Sequence, residues 1–233
     1  MNIGLFGYGK MGKMIEKIAI QRNHTIVAKV DVDTEEIDYT NMDIAIDFSS
    51  PEAAYTNIKS CLEHNIPVIS GTTGWLNDYE KIISLCKNKN GAFIYASNFS
   101  LGVNLFFQLN SYLARMMRNL PQYKASIEEI HHLQKLDAPS GTAISLAEDI
   151  VDNSAYEGWL LGKSDDQNIP IISKRIADEY GTHVVSYENE IDEIVIKHKA
   201  HNREGFALGA IVAAEWLNGK KGVYTMKDVL NLG

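Results

Sequence analysis

Two cysteines, Cys61 and Cys86, are all the thiols in 233 residues, and neither belongs to a CxxC pair or a Cys/His cluster. A disulfide framework and a zinc site are not expected, and buried free thiols are expected instead. Basic charge is in deficit, with 22 Lys and Arg against 30 Asp and Glu and a net charge of −8. Such a chain offers no cationic face to a phosphate backbone, so nucleic acid is not an expected partner. Long apolar runs are missing too: none approaches the ~20 residues of a membrane span. The opening MNIGLFGYGK has neither the basic region nor the apolar stretch of a signal peptide. A cytoplasmic protein with no membrane partner is expected. There is no internal repeat and no low-complexity tract. What is present is an ordinary globular composition, 45% hydrophobic and 22% charged, in a chain long enough for one large or two modest domains.

The first hundred residues alternate short β-type runs with helical-period segments, as a parallel sheet covered by helices requires. Strands are expected at residues 2–6, 25–31, 43–48, 67–70 and 92–96, and helices at 10–22, 51–64 and 77–88, where apolar residues recur at spacings of three and four. Residues 34–42 are too short and polar for another packed helix. From about Gly102 the pattern changes to a helix at 103–117, a strand at 124–130, a second helix from near Ser140 and an aperiodic polar stretch at 162–168. Alternation at 182–188 and 193–200 suggests antiparallel strands, and the small-residue-rich helix at 205–217 is expected to return to the first domain. The fold class expected is α/β, with a Rossmann-like parallel-sheet domain (1–102 and 206–233) and a smaller α+β domain (103–205).

GYGKMG places Gly7, Gly9 and Gly12 directly after a strand and at the start of a helix. In that setting the first glycine permits the tight turn, the second lets backbone approach a pyrophosphate, and the third lets helix pack on strand. Unsatisfied N–H groups at the helix start would hold the diphosphate. A glycine-rich turn without ligand is the plainer alternative. Asp31 closes the second strand near the ~20-residue offset at which an acidic side chain meets the adenosine ribose; Asp33 is a rival. A carboxylate there repels a 2′-phosphate and leans toward NADH, while Lys10 and Lys13 nearby weaken that preference. Loops DFSSP (47–51), GTTG (71–74) and ASNFSLGVN (96–104) fall at the same expected sheet edge, where ligands of open α/β sheets bind.

The most informative stretch is EEIHHLQKLDAPSGTA, residues 128–143. Ser140 is a plausible N-cap, so the amides of Gly141 and Thr142 would point outward at the positive end of a helix. Lys135 adds a point charge, and a histidine can donate to the same anion or carry a proton near neutral pH. Each feature alone has an ordinary reading as a solvated side chain or a plain cap; together they describe a carboxylate site with an acid. His131 and His132 could be metal ligands, but neighbours on a strand point to opposite faces and no third ligand is evident, so no metal is expected.

The run E-x-HH-x-x-K-x-DAPSGTA, with GYGKMG, DFS, GTTG and NFSLGVN in order, resembles the 4-hydroxy-tetrahydrodipicolinate (dihydrodipicolinate) reductase family of lysine and diaminopimelate synthesis across essentially the whole chain. The resemblance implies NADH or NADPH as cofactor, a small dicarboxylate as substrate, and a homotetramer assembled by the second domain. It implies His131 as proton donor or acceptor, Lys135 as a second proton donor, and His132, Gly141 and Thr142 as substrate contacts. Its nucleotide positions map to Gly7, Tyr8, Gly9, Lys10, Met11 and Gly12, to Asp31, to Gly71, Thr72 and Thr73, and to Ala96, Ser97, Asn98 and Phe99. The chain departs from the family pattern at Val32, where many relatives carry arginine, and at Ala177, which replaces the first glycine of an R-x-G-x-x-x-G-x-H element starting at Arg175; the loop before Arg175 is also short. Two other readings are a reductase of another amino-acid-pathway carboxylate and a non-catalytic dinucleotide sensor. Competition by pyridine-2,6-dicarboxylate separates the first, and an intact HHxxK constellation argues against the second.

Overall fold

The structure, a computed structural model, describes residues 1–163 and 165–232. Ser164, within the polar stretch expected to lack periodicity, lies outside the described residues. The chain divides into two compact units, one made of Met1–Leu101 with the chain from Glu204 onward, the other of Gly102–Arg203.

The first unit is a parallel six-stranded sheet. Its strands are β1 (Asn2–Phe6), β2 (Thr25–Val30), β3 (Ile44–Asp47), β4 (Val68–Ser70), β5 (Ala92–Tyr95) and a late β11 (Gly222–Tyr224), in the order β11-β5-β4-β3-β1-β2. Helices α1 (Lys10–Gln21) and α6 (Glu204–Leu217) cover one face, and α2 (Pro51–Glu63) and α3 (Tyr79–Asn88) the other. Alternate strand residues serve the two layers. Ile3, Leu5, Ile44, Ile46, Ile69 and Ile94 pack with α1 and α6, while Phe6, Ala45, Val68 and Phe93 pack with α2 and α3. Burial on both sides is why these strands read as nearly continuous apolar runs, each fully buried Ile or Phe contributing ~1.5–3 kcal/mol of transfer free energy. Cys61 and Cys86 are buried free thiols in the second layer. Register matters for function: Phe6 pairs with Val30 and Asp47, Asp47 with Ser70, and Ser70 with Tyr95, so the carboxyl ends of five strands form one edge. Chain order reverses at β1, between β2 and β3, which is where ligands of open α/β sheets bind.

The second unit is a mixed five-stranded sheet of β6 (Lys124–His131), β7 (Gly158–Leu161), β8 (Asn168–Arg175), β9 (Thr182–Glu188) and β10 (Glu193–Lys199), in the order β10-β9-β6-β8-β7. Pairs β9–β10 and β6–β9 are antiparallel; β6–β8 and β7–β8 are parallel. Helices α4 (Leu101–Met117) and α5 (Gly141–Asp152) cover one face through Phe106, Leu113, Leu146 and Ile150. No helix among the described residues is long and apolar enough to cross a membrane.

Several boundaries differ from the sequence expectation. The expected helix at 77–88 is a 3-10 turn at Leu76–Asp78 followed by α3, and α4 begins two residues early. Strands β7, β8 and β11 and the short helix α7 (Met226–Val229) were not anticipated. Arg175 therefore ends a strand and does not follow a loop.

Candidate active site

At the carboxyl edge of the first sheet, Gly7 has φ +88° and an added Cβ would strike Phe48 O at 2.2 Å. A Cβ at Gly12 would meet Gly7 O at 2.3 Å, so α1 packs on the turn at a distance only glycine allows. Gly9, the N-cap of α1, has nothing within 4 Å of its Cβ position, which leaves this backbone open at the positive end of the helix. These three glycines fit a dinucleotide diphosphate. Beside them lies a cleft of about 310 Å³ bordered by Tyr8, Val30, Asp31, Val32 and Phe48. Asp31 is exposed there, its backbone N–H donating to Thr34 Oγ1 at 2.9 Å and its Oδ1 accepting from Val32 N–H at 3.0 Å. Tyr8 donates its hydroxyl hydrogen to Glu16 and accepts from Lys29 Nζ at 2.9 Å. That leaves Lys29 paired with Glu16, whose carboxyl is held below its ordinary pKa by the Lys29 and Tyr8 hydrogen bonds.

Not every residue expected to touch the nucleotide faces outward. Thr72 is buried, donating through Oγ1 to Asp47 Oδ2 at 2.7 Å and accepting from Ser49 N–H at 2.9 Å. Asp47 is buried and also accepts from Ser49 Oγ at 2.6 Å, Ser70 Oγ at 2.8 Å and Asn57 Nδ2 at 3.3 Å. Burial pushes its carboxyl pKa up against these four donors. It ties the loops after β3 and β4 together, a role the DFS motif did not reveal. Gly71 lies against the Phe48 ring, leaving no room for a Cβ, and its N–H donates to Asp47 O at 2.9 Å. Thr73 is exposed. Ala96 N–H donates to Ser70 O at 3.1 Å, and Asn98 Oδ1 accepts from Ser100 N–H at 2.9 Å. Phe99 is buried in the α1–α6 layer, so only its backbone faces the edge. Lys10 and Ser97 are exposed and Met11 partly so.

In the second unit, strand register assembles a charged cluster. Successive inward residues of β6 are Ala125, Ile127, Glu129 and His131; Glu129 stands opposite His183 on β9, and His131 opposite Arg175 on β8. Glu129 is 0% exposed. Its Oε2 is hydrogen-bonded to His131 Nδ1, and its Oε1 accepts from Arg175 Nη1 at 2.9 Å. Burial opposes the charge of Glu129, but these hydrogen bonds overcome it and bring its pKa down to about 2. The same guanidinium donates through Nε to Lys135 O at 3.2 Å and through Nη2 to Asp137 O at 2.6 Å, fixing the loop after β6. Lys135 Nζ pairs with Asp137 at 2.7 Å, and that hydrogen bond holds the Asp137 carboxyl below its usual pKa.

Ser140 caps α5, its Oγ accepting from Ala143 N–H at 3.2 Å and sharing a hydrogen bond with His183 Nε2 at 3.0 Å. The first main-chain bond of the helix runs from Ile144 N–H to Ser140 O at 3.0 Å, so the Gly141 and Thr142 amides precede the ladder as open donors. No atom lies within 4 Å of a Cβ at Gly141, which keeps that approach clear. His183 stacks edge-on against His131, with centroids 5.1 Å apart, and burial brings its pKa down to about 3, so it is neutral. His132 borders a cleft of about 260 Å³ with Glu179, Tyr180 and Arg203, and its shielded Nδ1 has no hydrogen-bond partner among the described residues.

Glu129, His131 and His183 place one donor atom each within 4.8 Å of one another, a three-ligand grouping absent from the sequence expectation. The Arg175 guanidinium on Glu129 opposes a cation there.

Two family models cover the chain: the N-terminal part of dihydrodipicolinate reductase over residues 1–99, and its C-terminal part over 102–230. The chain belongs to the dihydrodipicolinate reductase family. A 4-hydroxy-tetrahydrodipicolinate reductase from Christiangramia forsetii is 58% identical over 99% of this chain and 98% of its own length. The one from Neisseria meningitidis serogroup B is 37% identical over 82% and 73%. A solved structure described as dipicolinate-bound dihydrodipicolinate reductase from Paenisporosarcina sp. TG-14 shares the fold, with a TM-score of 0.81, 24% identity and 97% coverage of both chains. Membership makes the chain an oxidoreductase of lysine and diaminopimelate synthesis.

Within this reductase fold, Glu129, Arg175, His183 and Arg203 join the residues expected from the motifs. Glu129 opens the motif and Arg175 and His183 lie in the second family element, so their positions were visible; their convergence required the β6–β8 and β6–β9 registers.

Proposed function

We propose that the chain reduces 4-hydroxy-tetrahydrodipicolinate to tetrahydrodipicolinate with NADH or NADPH, using His131 and Lys135 as proton donors. The observation that carries this reading is one segment, residues 131–142, that supplies an acid, a cation and two open helix amides. His132, Lys135 and the Gly141 and Thr142 N–H groups hold the substrate carboxylates, and His131 supplies the proton. Reduced nicotinamide, when bound, would supply the hydride. Gly7, Gly9 and Gly12 hold the diphosphate on the α1 N-terminus. Tyr8 of the preceding turn and Lys10 and Met11 of α1, together with Gly71–Thr73 and Ala96–Phe99, shape the rest of the nucleotide site, with Thr72 and Phe99 acting through their backbone. Asp31 accepts from the adenosine ribose.

Units 1–102 with 206–233 and 103–205 serve as the dinucleotide domain and the substrate and assembly domain of a cytoplasmic homotetramer. The tetramer reading is supported by Ile172, Val184 and Val195, which share the sheet face turned away from α4 and α5, Ile172 and Val195 being 44% and 47% exposed. His131→Ala and Lys135→Ala test the chemistry. Each is expected to slow turnover about 100-fold or more with NADH binding nearly unchanged, and pyridine-2,6-dicarboxylate is expected to compete with substrate. Full turnover in both variants would remove the assigned roles.

A further inference from the structure

The two ring nitrogens of His131 have different surroundings. Nδ1 is hydrogen-bonded to Glu129 Oε2, whereas Nε2 lies beside Gly181, where an added Cβ would crowd it at 3.2 Å. Gly181 has φ +145° and keeps that side of the ring uncrowded. The partner of Nδ1 is buried, and its second oxygen is already taken by Arg175 Nη1. An ionised carboxylate only accepts and a guanidinium only donates, so the hydrogen in the Glu129–His131 bond resides on Nδ1.

We infer that Glu129 is a positioning residue for the reduction: by accepting the Nδ1 hydrogen of His131 it fixes the ring's tautomer and assigns the transferable proton to Nε2. The inference rests on the reading of His131 as the acid. In the protonated ring both nitrogens carry hydrogen. Hydride addition to one end of the substrate double bond leaves an electron pair at the other end. That atom forms a bond to the Nε2 hydrogen, the N–H bond breaks, and its electron pair stays on the ring. The neutral imidazole left behind is the Nδ1–H tautomer that Glu129 already holds, so no hydrogen need change nitrogens before the next turnover.

Arg175 makes the arrangement directional. It holds one Glu129 oxygen and, through Nε and Nη2, the carbonyls of Lys135 and Asp137, so one guanidinium aligns both the His131 pair and the loop carrying the second proton donor. Neutral His183, edge-on to His131 and joined to Ser140, links the same ring to the cap of α5. A purely structural Glu129 would neutralise Arg175 without constraining where the His131 hydrogen resides.

Nitrogen-15 spectra of the full-length protein, with His131 assigned by comparison with His131→Ala, test the claim at a pH where the ring is neutral. The wild type is expected to show hydrogen on Nδ1 and a bare Nε2, the minority form of free imidazole side chains. In Glu129→Gln, Arg175 keeps the amide oxygen facing itself and the amide NH2 faces Nδ1. The hydrogen is then expected to move to Nε2, exchanging the two signals. Turnover should fall at least ~10-fold, with KM for substrate and cofactor within about twofold of wild type.

A wild-type ring with hydrogen on Nε2 overturns the inference, and that measurement does not depend on Glu129→Gln folding. Full turnover in Glu129→Gln overturns it as well. Failure of the acid reading is separately visible: His131→Ala would then retain full turnover, whereas failure of the positioning claim alone leaves His131→Ala slow and Glu129→Gln fast.

Discussion

Two glycines of α6 provide a matched test of how the nucleotide edge is built. An added Cβ at Gly209 would lie 1.7 Å from Phe99 O and 2.7 Å from its carbonyl carbon, both backbone atoms of the loop after β5. An ordinary carbon–oxygen contact is about 3.3 Å, so the helix or the loop must move by roughly 1.6 Å in a layer where Ala207, Ala210 and Ile211 are fully buried. Overpacking of this kind costs about 1–3 kcal/mol or more, and alanine recovers about 1 kcal/mol of helix propensity over glycine. With a displacement that large the cost falls at the upper end of this range, so Gly209→Ala is expected to lose about 2 kcal/mol net, lowering the melting temperature by roughly 4–8 °C for a chain of this size. Because the displaced backbone belongs to Ala96–Phe99, KM for NADH should rise as well. At Gly205 the nearest atom to an added Cβ is Ser100 Oγ at 3.5 Å, an ordinary contact. Gly205→Ala should melt at or slightly above the wild-type temperature. Thermal unfolding by circular dichroism at fixed concentration, with cofactor KM alongside, decides the matter. A Gly209→Ala protein that melts with wild type and binds NADH normally would refute the reasoning.

Val32, 94% exposed beside Asp31, borders the nucleotide cleft; Val32→Arg would supply a cation for a 2′-phosphate and should raise the NADPH to NADH ratio of kcat/KM about tenfold, worth ~1.4 kcal/mol, and an unchanged ratio counts against the cleft as the adenosine site. The Glu129 pKa is depressed from 4.5 to about 2, so its stabilisation is present above pH 4.5 and lost as pH falls through 2. At about 1.36 kcal/mol per unit this is somewhat more than 3 kcal/mol. The stability gap between wild type and Glu129→Gln in urea should thus be full at pH 7 and shrink toward pH 2; a gap independent of pH contradicts it. Light scattering should give four 26.0 kDa chains, and Ile172→Glu with Val195→Glu should dissociate them; a wild-type monomer refutes the tetramer.

Legibility in the sequence followed the range of the interactions. Strands buried on both faces announce themselves as apolar runs, and the Gly7–Gly12 turn and Ser140 cap are local devices, so both were readable. Strand β8, NIPIISKR, carries Pro170 in its interior and lacks alternation, and β11 has only three residues; pairing in the folded sheet, and not local propensity, makes them strands. The same distinction holds in the site. Residue types in EIHHLQKLDAPSGT pointed to an acid and an anion cradle, but the His131 hydrogen is placed by Glu129 and Arg175, the latter brought in by the β6–β8 pairing. Thr72 and Phe99 likewise sit in motifs of the nucleotide edge, but the fold turns their side chains inward.

The purified chain is expected to reduce 4-hydroxy-tetrahydrodipicolinate. Mixing the protein with freshly formed condensation product of pyruvate and aspartate semialdehyde and following the oxidation of NADH and of NADPH separately by absorbance decides it. Enzyme-dependent oxidation of at least one cofactor, suppressed by pyridine-2,6-dicarboxylate and nearly abolished by His131→Ala, is the expected result; no oxidation of either would contradict the account.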